Sequence, residues 1–432
     1  MKKLILIILQ LSVIFYLILF LINNSFIISF EIKDLIFSID SSYVFILFIL
    51  ILLFIFVLQS IYFKSKLSFS KFLFSKKIKT KERGYNSFVN GMLALANKDY
   101  KRAISESKNV SKYLEGSPSL SLLLKSEVFK FEKNNVELNK IYEEMIKSEP
   151  TMNLGFRGLM EQYLKAQDYH HAFIYGEKLF NNNPYIEKIY DTLVNIIAKT
   201  NNWQQLLLLS DKAYSKKIID KNTYSENKSI ALYEISKVKQ LSDPKDAISL
   251  MKKALNLRKN FPPYIKLYLE LLTQQKEYNI AKKYFKKAWK ENPHPEYKYL
   301  LINLADNLKI SILELASYVT SSSLENNESK ILLVESAIQE QKWERARKDI
   351  RSLLDVEPSR EVCLLMAKIE DGDSQDIQKV NSWTLRSERG ETKDIWICSI
   401  SNNSQNYWSA VSEGGYFNTL QWKKPKSLNI IK

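Results

Sequence analysis

Two uncharged apolar runs near the start of the chain, residues 4–22 and 43–63, decide most of what it can become. They hold 19 and 21 residues, and a helix needs about 20 to cross a hydrocarbon core about 30 Å thick. In lipid only a helix satisfies its own backbone, so both runs are expected to be membrane-spanning helices. A secretory signal is the rival reading of the first run, because Lys2 and Lys3 supply a basic start. Its apolar stretch is long for that role, and Asn23-Asn24-Ser25 offers no small-residue cleavage site, so a retained span is expected.

Charge beside the spans sets their direction. The connection 23–42 holds one base, Lys33, against Glu31, Asp34 and Asp40, whereas Lys64, Lys66, Lys71, Lys76, Lys77, Lys79, Lys81 and Arg83 follow the second run. The positive-inside rule then places both termini in the cytoplasm and the short connection outside. The net charge of +16 invites a nucleic-acid reading, but residues 1–83 alone hold 11 bases and 4 acids and so carry +7. The remainder lacks an arginine cluster or basic-aromatic interleaving, and no nucleic-acid partner is expected. The collar mixes Phe63, Leu67, Phe69, Phe72 and Phe74 with lysines, which suits a segment lying on anionic inner-membrane lipid and equally a solvated flank. Two cysteines, Cys363 and Cys398, exclude a disulfide framework and fit a reducing compartment.

Beyond the collar the chain repeats. Ala103, Leu138, Ala172, Leu206, Ala247, Ala281, Leu315 and Ala346 recur at steps of 35, 34, 34, 41, 34, 34 and 31, and 34 is the tetratricopeptide period. Tyr169, Trp203, Tyr278 and Trp343 stand three residues before their alignment points, and Pro150, Pro184, Pro293 and Pro358 stand 12 after theirs. The physical demands explain the pattern: a small residue lets two helices approach, an aromatic fills the gap, and proline ends the second helix. Tyr278, Ala281, Phe285 and Ala288 share one helical face and are expected to be core. The expected architecture is therefore all-α, two N-terminal transmembrane helices followed by a tetratricopeptide (TPR) α-solenoid. Its parts are an anchor at 1–63, a basic collar at 64–83, a solenoid of about eight to nine hairpins at 84–390 and a tail at 391–432.

This order of two spans, collar and repeats resembles the HemY family of bacterial inner-membrane proteins. Particularly similar are Gly91-Met92-Leu93-Ala94-Leu95-Ala96, Asp99-Tyr100 and Ala103. The resemblance implies a non-catalytic scaffold at the bacterial inner membrane, supporting a late step of haem biosynthesis, with haem-pathway enzymes as protein partners. It does not imply oxidase chemistry, since no G-x-G-x-x-G fingerprint occurs. The tail is similar to the rubredoxin-like knuckle that ends some membrane-bound repeat proteins. In the metal-binding form the places of Cys398, Ser401, Ser412 and Gly415 would all be cysteine, and one thiolate cannot hold a structural zinc, so no metal is expected. Four tryptophans, Trp383, Trp396, Trp408 and Trp422, fit either an aromatic cap packed on the last hairpin or a loosely ordered tail. Repeat proteins with such knuckles also suggest the alternative of an adaptor for envelope or lipopolysaccharide assembly.

Candidate chemistry is sparse. His170 and His171 point about 100° apart on a helix, His294 sits between two prolines, and no C-x-x-C-H attachment motif is present. Cys363 reads as a buried apolar residue, and no catalytic or cofactor-binding residue is expected. First helices of a solenoid line its binding face. The register assigns Arg157, Asp191, Asn195, Lys199, Lys266 and Glu270 to that face as candidate partner-binding residues. Their mixed signs suit a protein partner better than a polyanion.

Overall fold

A computed structural model describes residues 2–24, 26–32, 35–114, 116, 118–355 and 357–425. Ser25, Lys33, Asp34 and the last seven positions of the expected tail, 426–432, lie outside the described residues. The chain forms two compact units, residues 1–134 and 135–432.

The first unit contains α1 (Lys2–Asn23), strands β1 (Ile27–Ile32) and β2 (Leu35–Asp40), α2 (Ser41–Ala96), α3 (Tyr100–Tyr113) and α4 (Pro118–Phe131). By length and composition α2 is apolar enough to cross a membrane, while the stretch of α1 with described side chains, Ile8–Phe20, is shorter than a span. The two helices touch, and Gln10 Nε2 donates to Gln59 Oε1 at 3.1 Å. The second apolar run, the collar and the first repeat helix are all one helix. Nothing breaks it: 41–96 has no proline, and its two glycines serve packing, a Cβ at Gly84 meeting Leu114 and one at Gly91 meeting Leu124.

The second unit is an all-α solenoid of antiparallel helix pairs. It opens on α5 (Asn135–Ile146), and the pairs are α6 (Met152–Lys165) with α7 (Tyr169–Asn182), and α8 (Ile189–Thr200) with α9 (Trp203–Ser215). Then come α10 (Lys221–Lys239) with α11 (Pro244–Leu257) and α12 (Pro262–Gln274) with α13 (Tyr278–Glu291). A short 3-10 turn, Pro295–Tyr297, leads to α14 (Lys298–Leu308) with α15 (Ile312–Thr320). The series ends on α16 (Asn327–Gln339) with α17 (Trp343–Leu354) and α18 (Arg360–Asp373) with α19 (Ile377–Ser387). A three-stranded antiparallel sheet follows, β3 (Ile395–Cys398), β4 (Ser404–Gln405) and β5 (Leu420–Lys423) in the order β4-β3-β5.

Each of the eight alignment residues is the fourth residue of a second helix, and each is 0 or 1% exposed. The spacing therefore marks where the helices of a pair meet. The long step between Leu206 and Ala247 is absorbed largely by α10, which has 19 residues where α6, α8 and α12 have 12 to 14. In most of these reversals, the one between α10 and α11 excepted, the chain turns through a left-handed residue that is never glycine. Lys98, Lys133, Gln167, Asn201, Lys276, Gln341 and Gln375, each two residues before a second helix, have φ between 52 and 62°. The reversal closes with the next amide donating back five positions along the chain, as in Asp168 N to Tyr163 O at 2.9 Å and Lys342 N to Ala337 O at 2.8 Å. Two sheets among the described residues interrupt the expected all-helical plan, the β1–β2 ribbon in the short connection and the three-stranded sheet in the tail.

Candidate functional site: the first-helix face and the module docked on it

The six candidate groove residues separate into three places. Arg157 is exposed on α6, where its Nε pairs with Glu161 Oε1 at 2.9 Å. Asp191, Asn195 and Lys199, spaced by four, form one exposed stripe on α8. Lys199 Nζ lies 5.1 Å from the centroid of the Tyr169 ring. Lys266 and Glu270 are half-buried on α12, with Lys266 Nζ 4.8 Å from the Tyr299 ring. Burial pushes the Glu270 carboxyl above the usual range, and the charge of Lys266 opposes that. No hydrogen bond or ion pair among the described residues joins the three places.

The tail explains why the α12 residues are less open than those on α8. Its sheet forms a module seated on α9, α10, α12 and the turn before α14. Trp408 is 5% exposed, with its ring centroid 5.1 Å from Phe261, 5.3 Å from Tyr233 and 5.9 Å from Tyr264. Trp396 Nε1 donates to Glu296 Oε1 at 2.5 Å, and Trp422 lies 4.6 Å from His294. Phe417 stacks against Trp203 at 6.4 Å, and Asn418 Nδ2 donates to Glu226 Oε2 at 3.2 Å. The expected cap on the last hairpin is thus corrected: the module docks in the middle of the solenoid, because that is where Tyr233, Phe261 and Tyr264 offer an aromatic surface. The last pair, α18 and α19, has one aromatic, Trp383, and the linker meets it through Arg360 N donating to Glu391 O at 3.1 Å.

At the edge of this docking a cavity of about 320 Å³ is lined by Tyr233, Lys237, Lys266, Glu270, Glu296 and Tyr407, among others. Burial raises Glu296, opposed by the indole N–H of Trp396, so the cavity wall is less acidic than its composition suggests. His294, read from sequence only as a turn residue, turns out to be a buried buttress. Its Nδ1 accepts from Glu296 N at 3.3 Å, its Nε2 has no partner among the described residues, and burial lowers its pKa to about 4. The ring is therefore neutral at physiological pH. His170 and His171 lie at the exposed start of α7, with His171 Nδ1 2.7 Å from Asp168 Oδ2.

Two hydrogen-bonded turns shape the tail around Cys398 and Ser412. Ser401 N donates to Cys398 Sγ at 3.4 Å, and in the second turn Tyr416 N donates to Ser412 Oγ at 3.2 Å, with Gly415 at φ 79°. Burial opposes ionisation of the Cys398 thiol, but hydrogen bonds from Ser401 and Thr419 outweigh it and pull the pKa to about 6. The thiol is only 1% exposed. Cys363 is wholly buried, with burial holding its thiol above the usual range and Sγ 3.9 Å from Pro358 O. Among the described residues, no group of three or more His, Cys, Asp or Glu side chains is arranged to hold a metal. What the site offers is contact surface: an exposed polar stripe on α8 beside a first-helix face covered by the chain's own tail.

No protein-family profile and no curated protein matches the chain. Solved structures similar to it include one of Naa15/Naa10 bound to HypK-THB, at TM-score 0.37 and 14% identity, covering 71% of this chain and 58% of that one. A complex of the TPR2AB domain of yeast Sti1 with pHSP90 follows at TM-score 0.31 and 8% identity, covering 71% and 99%. A tetratricopeptide repeat protein from Parabacteroides merdae gives TM-score 0.27 and 15% identity, covering 57% and 98%. Scores this low lend no weight to the fold, and the assignment to tetratricopeptide-type helix pairs stands on the 34-residue register and on the burial of every alignment residue.

Proposed function

We propose that the chain is a membrane-anchored scaffold whose solenoid docks protein partners on the first-helix face of α6 and α8. The observation that carries this reading is the exposed Asp191, Asn195 and Lys199 stripe, left open while the tail module covers α10 and α12. A mixed-sign helical face of this kind recognises a protein segment through several spaced side chains. The anchor is α1 and α2 crossing the inner membrane, with both termini in the cytoplasm, as the charge distribution favours. The HemY resemblance points the scaffold toward enzymes of late haem biosynthesis. The envelope-adaptor alternative draws support from the likeness of the tail sequence around Cys398 and Ser412 to a rubredoxin-like knuckle.

Reversing Asp191 and Lys199, as Asp191→Lys with Lys199→Glu, tests the docking face. Partner recovery from membranes should fall while the helical content and melting of the protein stay nearly unchanged, since exposed substitutions usually shift stability by about 0.5 kcal/mol or less. Unchanged recovery would remove α8 from the interface. Porphyrin accumulation in cells lacking the protein supports the haem reading, whereas normal porphyrins with disturbed lipopolysaccharide transfer the function to envelope assembly.

A further inference from the structure

The short connection between α1 and α2 is a ribbon with two unlike faces. β1 and β2 pair antiparallel from Ile27 opposite Asp40 to Ile32 opposite Leu35. Alternate strand positions share a face. One face carries Ile28, Phe30 and Ile39, and the backbone positions of Ile32, Leu35 and Phe37 fall in the same register. The other carries Ser29, Glu31, Ser38 and Asp40, with Ile27 and Ile36 at its two ends.

The ribbon is fused to the mouth of α2. Asp40 ends β2 and Ser41 begins the helix, so no linker intervenes, and only positions 24–26 separate α1 from β1. Ser41 N donates to Phe26 O at 3.0 Å, Phe26 N donates to Ser41 Oγ at 3.2 Å, and Ser41 is fully buried. Wherever α2 enters the membrane, the ribbon sits at that boundary. A lone two-stranded hairpin is marginal in water and needs a second surface for its apolar face. Yet Phe30 is 44% exposed and Ile39 36% exposed, so the described residues do not supply that surface. Lipid is the apolar surface within reach.

Resting on the membrane-spanning reading of α1 and α2, we propose that the β1–β2 ribbon lies flat on the outer face of the bilayer. Ile28, Phe30 and Ile39 dip into the boundary between headgroups and acyl chains, and Ser29, Glu31 and Ser38 face water. The attachment is apolar, so it is insensitive to salt and to headgroup charge.

The full chain reconstituted in phosphatidylcholine vesicles tests this with nitroxide labels at Phe30→Cys, Ile39→Cys and Ser29→Cys. Cys363 and Cys398 are 0 and 1% exposed and escape brief labelling. Labels at positions 30 and 39 should collide freely with oxygen and several-fold less with an aqueous nickel chelate than the label at 29. Water-like collisions at 30 and 39 overturn the proposal in favour of a free-standing ribbon. Protection from both reagents overturns it in favour of a second copy or another protein as the cover. A label at Leu53→Cys on α2 separates the two readings. If position 53 is lipid-like while 30 and 39 are water-like, only the ribbon proposal fails. If position 53 is water-like, the membrane-spanning reading fails first.

Discussion

Replacing Trp408 with alanine should release the C-terminal module from the solenoid while leaving the helix pairs intact. The indole is 5% exposed and wedged among Tyr233, Phe261 and Tyr264 at 5.1 to 5.9 Å. Truncating a core tryptophan costs about 3 to 5 kcal/mol. That figure is smaller here, because Trp408 Nε1 is buried without a hydrogen-bond partner among the described residues, and an orphaned donor carries a penalty of about 1 to 3 kcal/mol that the mutation removes. The expected cost to docking is thus about 2 to 3 kcal/mol, roughly a hundredfold in the open fraction of the module. Amide hydrogen exchange on the full chain reads it directly: protection in 395–423 should collapse, and protection in α6 and α7 should stay. Trp408→Phe sharpens the test, since it keeps most of the ring contact and discards the orphan N–H, so its cost should fall well below that of alanine. Equal losses for phenylalanine and alanine would refute the reasoning, because they would mean that the ring contacts with Tyr233, Phe261 and Tyr264 do not hold the module in place.

Three further outcomes follow from the same geometry. Lys276→Gly and Gln341→Gly should each raise thermal stability by roughly 0.5 to 1 kcal/mol, because each relieves a side chain held at positive φ in a pair-reversing turn; a lower melting temperature would show that these side chains make compensating contacts. Glu340 accepts from Ser311 Oγ at 2.5 Å and Leu313 N at 3.0 Å; burial raises its pKa, but these bonds and Lys342 outweigh it and hold the carboxyl at about 2. Its folded pKa lies below the unfolded value of about 4.3, so its stabilisation is present above that pH and is lost as pH falls toward 2, a loss absent in Glu340→Gln by acid titration of the melting temperature. Ala281→Trp should overpack α13 by about 1 to 3 kcal/mol or more and broaden the unfolding transition, because Ala281 is wholly buried; an unchanged melt would place it outside the core.

The repeat was legible because one physical requirement, close approach between paired helices, writes a small or apolar residue at nearly constant spacing. Ala103 to Ala346 therefore mark eight second helices, each at its fourth residue, and Val380, 34 positions beyond Ala346 and fourth in α19, extends the series. The left-handed turns left no such trace, since lysine, glutamine and asparagine occupy positions that glycine usually marks. The β1–β2 ribbon is hard to see in the sequence because each strand is only six residues long and its period-two alternation is interrupted by the charged Lys33 and Asp34. The docking place of the tail was illegible for a different reason. Trp396 and Glu296 are 100 positions apart, and no local spacing relates Trp408 to Phe261.

The continuity of α2 bears on the two readings of the basic collar. A helix rises 1.5 Å per residue, so the stretch from 64 to 83 extends about 30 Å, and with neither proline nor a loose glycine inside it nothing turns that stretch aside. If residues 43–63 span the bilayer close to its normal, Lys64 and Lys66 lie within one Debye length, about 8 Å, of the anionic surface, whereas Lys76, Lys77, Lys79 and Lys81 stand well beyond it. The collar then acts as a stalk that carries the first repeat away from the membrane. The expected consequence is unequal: neutralising Lys64 and Lys66 to glutamine should weaken the dependence of reconstituted orientation on anionic lipid, and neutralising Lys76, Lys77, Lys79 and Lys81 should leave it nearly unchanged. Oriented vesicles with and without anionic lipid, scored by protease access to the solenoid, measure it. Equal effects from the two sets would show the collar lying along the leaflet, which requires α2 to bend sharply between residues 64 and 83.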